Sequence, residues 1–103
     1  EQVEGWKPVL EAVHRAGGRI VAQLWHMGRL VHPDYLDGSA PLSASATTAP
    51  FKAHTYEGKK PYAEARAATR EDIERTVGDY ARAARIALRA GFDGVQLHGA
   101  NGY

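Results

Sequence analysis

The sequence predicts an α/β fold in the order helix, strand, long loop, helix, strand. Three observations indicate this class: apolar residues recur at helical spacing in two separate stretches, glycine ends each stretch, and a short apolar run follows each glycine. A helix that ends in glycine and leads into a strand is the repeating unit of an α/β protein.

The first helix and strand occupy residues 3–25. The apolar positions Val3, Trp6, Val9, Leu10 and Val13 share one helical face, and Gly17-Gly18 supply the left-handed end of the helix. Residues 19–25 are predicted to form a strand, because they include the β-branched residues Ile20 and Val21 and their side chains can alternate between two faces. The alternation puts Val21, Gln23 and Trp25 on one face, and Ile20, Ala22 and Leu24 on the other. Gln23 and Trp25 are expected to point toward the mouth of the fold.

A long loop is expected at residues 26–68, which carry every proline except Pro8 and show no sustained periodicity. Such a loop commonly forms a lid or wall over a site, and a small hairpin is expected within it. Thr69 is the predicted N-cap of the second helix, with Asp72 three residues on, and Gly91 ends that helix. The predicted buried face of the helix comprises Ile73, Val77, Tyr80, Ala81, Ala84 and Leu88.

The second strand, Phe92 to Leu97, runs directly into a polar turn that holds His98, Asn101 and Tyr103. An α/β barrel places its catalytic residues at the carboxyl ends of its strands. His98 and Asn101 can each donate a hydrogen bond to one small acceptor, and the Tyr103 phenol can deliver a proton. A structural role fits the spacing equally well, with a rim histidine, a left-handed turn asparagine and a core tyrosine.

Composition narrows the class of protein. The chain is 44% hydrophobic and 24% charged with a formal net charge of +1, as in ordinary globular domains. Acidic and basic residues are interspersed, which argues against a nucleic-acid partner. Cysteine is absent and the histidines lack ligand spacing, so no metal site is predicted. No apolar run is long enough to cross a membrane, and a cytoplasmic location is expected.

Length indicates a piece of a larger fold. A (β/α)₈ barrel takes roughly 250 residues, whereas this chain has 103. We therefore interpret residues 1–103 as the central part of a single barrel domain, and we expect the isolated piece to be poorly stable and inactive.

Two motifs resemble the old yellow enzyme family of FMN-dependent ene-reductases. Ala90 to Tyr103, AGFDGVQLHGANGY, is similar to one segment of that family, and Gly17 to Arg29, GGRIVAQLWHMGR, is similar to its third-strand motif. Pro41 to Ala46 resembles the loop between them. The motifs stand in the family's order and at about its spacing, so the resemblance implies a fragment of an FMN-binding (β/α)₈ TIM barrel.

The resemblance also implies roles for individual residues. His98 and Asn101 would bind the activating oxygen of a conjugated carbonyl or nitro group, and Tyr103 would protonate the α carbon. Gln23 would hydrogen-bond the pyrimidine edge of the flavin, and Trp25 would shape the substrate pocket. The family also has members with His/His in place of His98 and Asn101, so this chain resembles the His/Asn branch.

The implied activity is reduction of an activated C=C bond of an α,β-unsaturated carbonyl or nitro compound, with FMN as cofactor and NADPH or NADH as electron donor. Two alternatives stay open: a relative of the same fold that reduces dienoyl thioesters or dehydrogenates amines, and a truncated, non-catalytic fragment. A homodimer of the full-length protein is compatible with the sequence. No nucleic acid or membrane partner is expected.

Overall fold

The computed structural model describes residues 2–103, and these residues form two units that are each compact. The first unit contains residues 2–25 and 74–98, and the second contains residues 26–73 and 99–103. The elements are, in chain order, α1 (Gln2–Arg15), β1 (Val21–Leu24), β2 (Leu42–Ser43), β3 (Lys52–Thr55), β4 (Gly58–Pro61), β5 (Arg66–Ala67), α2 (Arg70–Ala90) and β6 (Gly94–Leu97). The predicted helices and strands are all present.

Strands β1 and β6 pair in parallel in the first unit, with Gln23 opposite Gln96 and Leu24 opposite Leu97. Parallel neighbours need a crossover connection, and the chain between these strands includes α2. Exposed and half-buried residues alternate along β1. This alternation confirms the predicted division of β1 into two faces.

The core of the first unit is small and lies between the helices and one face of the strands. Four buried residues form it, namely Leu10, Ala87, Ala90 and Phe92, and the half-buried Val3, Ile20, Ala22 and Val95 pack against them. The Trp6 ring meets the Phe92 ring edge to face, with the ring centroids 5.4 Å apart. Trp6 therefore has a packing role, as its helical spacing indicates.

The buried face of α2 differs in part from the predicted one, in which Tyr80 and Ala84 are half-buried as expected. Ile73, Val77 and Leu88 are 55%, 64% and 54% exposed, whereas the buried residues toward the end of this helix are Ala87 and Ala90. The prediction weighted large apolar side chains, but small alanines line the contact with the core because they let a helix approach its neighbours closely. Within residues 2–103, neither helix is both long and apolar enough to span a membrane.

The Asp93 carboxylate joins three parts of the first unit. It accepts hydrogen bonds from the Ile20 backbone N–H at 2.8 Å and from Arg19 at 2.9 Å, and His14 Nε2 lies 2.9 Å from it. These donors, the Ile20 N–H first, hold the pKa of Asp93 well below its usual range. The side chain is only 17% exposed. Asp93 thus ties the end of α1 to the starts of β1 and β6.

The second unit contains the hairpin predicted within residues 26–68. Strands β3 and β4 pair antiparallel, and the Tyr35 hydroxyl donates to the His54 carbonyl oxygen at 2.9 Å. The segment also holds a short parallel pair, β2 with β5, and single 3₁₀ turns at Gly28–Leu30 and Pro33–Tyr35. The predicted long loop is therefore ordered by short local elements rather than by one continuous strand or helix.

A reciprocal cap begins α2, in the second unit. The Asp72 backbone N–H donates to Thr69 Oγ1 at 3.2 Å, and the Thr69 N–H and hydroxyl each donate to the Asp72 carboxylate at 2.9 Å. Arg66 donates to both oxygens of the same carboxylate, at 2.6 and 3.1 Å. The predicted N-cap is confirmed, and the buried Asp72 charge is compensated by a bidentate guanidinium.

Candidate functional site

Four side chains of the first unit form what we call the polar face of the β1–β6 pair: Gln23, Trp25, Gln96 and His98. Gln23 lies in β1 and Gln96 lies opposite it in β6. Trp25 and His98 each come two residues later, so strand alternation returns them to the same side as the glutamines. The face consequently has two levels, one of paired amides and one of paired rings at the carboxyl ends of the strands.

The two glutamines of the polar face are hydrogen-bonded to each other. Gln23 Nε2 donates to Gln96 Oε1 at 2.8 Å, and both residues are exposed. Within residues 2–103, this is the one hydrogen bond made by either side chain. This bond leaves the Gln23 carbonyl oxygen, its second N–H and the Gln96 amino group without a partner among these residues.

The ring level sets the orientation of His98. The Trp25 and His98 rings meet edge to face, with centroids 6.2 Å apart and planes inclined by 70°. The His98 backbone N–H donates to the Leu24 carbonyl oxygen at 2.9 Å, which extends the β1–β6 pairing by one residue. Both the backbone and the imidazole of His98 are thereby held against β1.

Asn101 and Tyr103 belong to the second unit. Asn101 has a left-handed backbone with φ 61°, as a turn asparagine commonly does, and Tyr103 is 43% exposed. The Tyr103 backbone N–H lies 3.4 Å from the Ala100 carbonyl oxygen. The turn reading of Asn101 is confirmed, and this backbone conformation is compatible with either role for its side chain.

Gly28 lies directly against Tyr103 within the second unit. A Cβ built on Gly28 would lie 3.2 Å from the Tyr103 carbonyl carbon, and Gly28 has a φ of +56°. The Gly28 N–H donates to His26 Nδ1 at 3.1 Å. His26 thus helps to hold a backbone turn through its Nδ1.

The donor set of the polar face fits the edge of a flavin. The pyrimidine edge of an isoalloxazine ring presents an N–H between two carbonyl oxygens, and a primary amide supplies the complementary acceptor and donor. The Gln23 amide has both groups available beside its bond to Gln96. These side chains therefore match the polar atoms of the FMN that the sequence motifs imply.

Two residues of this region were missed as site residues by sequence reasoning. The sequence motifs give no role to Gln96, and Gly28 is one of several glycines in the long loop. The alternation of β6 carries a signal for Gln96, because it lies two residues before His98 on the same face. For Gly28, the local sequence has no comparable signal, since its contact with Tyr103 joins residues 75 apart in the chain.

Parallel strands that are joined through a helix and carry polar side chains at their carboxyl ends are the arrangement found in part of an α/β barrel. The chain belongs to the NADH:flavin oxidoreductase / NADH oxidase family, whose family model matches residues 1–103. The predicted membership of the old yellow enzyme family is confirmed.

Individual relatives agree with this assignment. The chain is 45% identical over 104 residues to a flavin oxidoreductase of Emericella nidulans, a match that covers 99% of this chain and 26% of that protein. The chain therefore spans about a quarter of the length of this curated relative.

Solved structures show the same fold. The old yellow enzyme homologue of Zymomonas mobilis has a TM-score of 0.93 and 58% identity, covering 99% of this chain and 28% of that one. Morphinone reductase in complex with tetrahydroNAD has a TM-score of 0.89 and 42% identity, covering 98% of this chain and 30% of that one. These similarities confirm that the chain is a fragment of a (β/α)₈ TIM barrel.

Proposed function

We propose that the full-length protein containing this chain is an FMN-dependent ene-reductase. It would use NADPH or NADH to reduce the activated C=C bond of an α,β-unsaturated carbonyl or nitro compound. The observation that supports this most is the polar face of the β1–β6 pair, because it combines a flavin-compatible amide with a histidine held in place beside a tryptophan. Family membership and a structural neighbour that binds a nicotinamide analogue agree with it.

Bound FMN would supply the redox chemistry, accepting hydride from the nicotinamide and delivering it to the β carbon of the alkene. Gln23 orients the pyrimidine edge through its amide oxygen and N–H. Trp25 forms one wall of the substrate pocket and holds the His98 ring through their edge-to-face contact. These residues contribute binding and orientation rather than electron transfer.

His98 and Asn101 hold the activating oxygen of the substrate. Negative charge gathers on that oxygen as the β carbon gains hydride, so donors aimed at it stabilise the transition state more than the bound substrate. The contacts of His98 with β1 limit its motion before the charge appears. Preorganised donors of this kind act without reorganisation during the reaction.

Tyr103 completes the reduction by giving its phenolic proton to the α carbon. Gly28 leaves room for the backbone of Tyr103, since a Cβ at Gly28 would lie 3.2 Å from the Tyr103 carbonyl carbon. A homodimer of the full-length protein and a cytoplasmic location stay predictions.

The Tyr103→Phe variant of the full-length protein tests the proposal. Its flavin should be reduced by NADPH at the normal rate, whereas alkene reduction should fall by about 100-fold or more, as expected for loss of a positioned general acid. Tyr56→Phe is the matched control, because the Tyr56 side chain lies exposed on the hairpin. Undiminished alkene reduction in Tyr103→Phe would show that another group donates the proton. Absence of an oxidised flavin spectrum in the purified full-length protein would refute the cofactor assignment.

A further inference from the structure

Gln96 belongs to the polar face, but the proposed function assigns it no role. Its Oε1 accepts the hydrogen bond from Gln23 Nε2 at 2.8 Å, across the parallel register that places the two residues opposite each other. The two residues lie on the face of the strand pair that also carries Trp25 and His98. A bond between them restrains both amides on the face that is proposed to meet the flavin.

An isolated glutamine amide can present either its oxygen or its nitrogen to a ligand. The last torsion of the side chain is broad and roughly two-fold, so the two orientations are nearly equivalent when nothing distinguishes them. The bond to Gln96 ties one end of the Gln23 amide to the neighbouring strand, so that this amide no longer rotates freely. The amino group is the end held in the structure, which leaves the Gln23 oxygen and one N–H for an incoming ligand.

We propose that Gln96 is a positioning residue that restrains the Gln23 amide beside the pyrimidine edge of FMN. The inference rests on the proposed function, since it needs Gln23 to meet the flavin. Gln96 acts through Gln23: its oxygen holds the Gln23 amino group, and the Gln23 oxygen then accepts from the flavin N–H.

The test is a titration of the full-length apoprotein with FMN, followed by quenching of the fluorescence of free FMN. Gln96→Leu should weaken FMN binding by about three- to tenfold, the range expected for loss of one net hydrogen bond. In a Gln23→Leu background, the same Gln96→Leu change should have little effect, because the group it positions is gone. Gln2→Leu is the matched control, with the same chemical change on α1.

Two further variants separate orientation from general damage. Gln96→Glu keeps an accepting oxygen at the same chain length, so FMN affinity should be restored. Gln96→Asn is one methylene shorter and should lose the contact with Gln23, which keeps the test available should the leucine variant not fold. The proton resonance of the flavin N3–H should shift in Gln96→Leu and return in Gln96→Glu.

The outcomes separate the inference from the proposed function. An effect of Gln96→Leu that is equal with and without Gln23, or no effect at all, overturns the positioning role while leaving the cofactor assignment intact. No loss of affinity in Gln23→Leu overturns the flavin contact of Gln23 and the positioning role with it. A full-length protein that does not bind FMN overturns the proposed function itself.

Discussion

Replacing Gly28 with alanine is the perturbation that most directly links the second unit to the chemistry proposed for Tyr103. Gly28 is buried, begins the 3₁₀ turn Gly28–Leu30 and has a φ of +56°. An L-residue forced into this left-handed region loses about 1–2 kcal/mol. The free energy of unfolding of Gly28→Ala should therefore fall by about that amount.

The new methyl group adds a steric effect on Tyr103. It would lie 3.2 Å from the Tyr103 carbonyl carbon, where ordinary contacts begin at 3.4 Å, so the tyrosine backbone must move by a few tenths of an ångström. A displacement of about 1 Å can cost a reaction about 100-fold in rate, and a few tenths should cost about fivefold. The loss should fall on protonation of the substrate and leave flavin reduction unchanged.

Stopped-flow absorbance of the full-length protein measures both half-reactions, with NADPH reducing the flavin and an enone reoxidising it. Gly38→Ala is the matched control, because Gly38 also has a positive φ, +81°, but a Cβ there meets nothing within 4 Å. Both variants should lose stability, and only Gly28→Ala should slow reoxidation. Equal slowing in the two variants, or normal reoxidation in Gly28→Ala, would refute the argument that Gly28 makes room for Tyr103.

Two further predictions concern stability. Thr69→Ala removes the hydroxyl that caps α2 and bonds Asp72, and it should lower the free energy of unfolding by about 1 kcal/mol in urea titrations. Thr48→Ala is the control, because Thr48 is exposed and its replacement should leave the free energy of unfolding unchanged. An equal loss in both variants would contradict the cap. Because the folded pKa of Asp93 is lowered by the Ile20 N–H and its neighbours, its stabilisation is present above the ordinary carboxyl pKa and is lost as the pH falls below about 4. Asp93→Asn should therefore have a lower urea midpoint than the parent protein at neutral pH, and the difference should shrink in acid; a constant difference would show that protonation of Asp93 is not responsible.

Local sequence signals were sufficient for the two helices, for strands β1 and β6 and for a hairpin in the long loop, but not for the short pair of β2 with β5. Helical spacing and the terminal glycines located both helices, and alternation assigned the two faces of β1, because these patterns depend only on neighbouring residues. The sequence likewise indicated the cap of α2, because Thr69 and Asp72 are only three residues apart in the chain. The proposed roles of His98, Asn101 and Tyr103 came from one continuous motif and stay predictions.

The buried face of α2 needed the folded chain. Ile73, Val77 and Leu88 satisfy the helical pattern, yet the contact with the core is made by Ala87 and Ala90. Hydrophobic periodicity identifies that a helix has an apolar side, but it does not say which small residues permit close packing against a particular neighbour. Only the tertiary structure identifies the residues against which α2 packs, namely Leu10 and Phe92 of the core.

What the sequence determined by itself is the set of local elements, their order and the polar residues that follow each strand. The tertiary structure alone decided which of these residues meet: Gln23 with Gln96, Asp93 with Ile20, and Gly28 with Tyr103. The physical reason is distance along the chain, since these partners are 73 to 75 residues apart. Their contact follows from strand register and chain path, which depend on the packing of the whole fold rather than on any neighbouring residue.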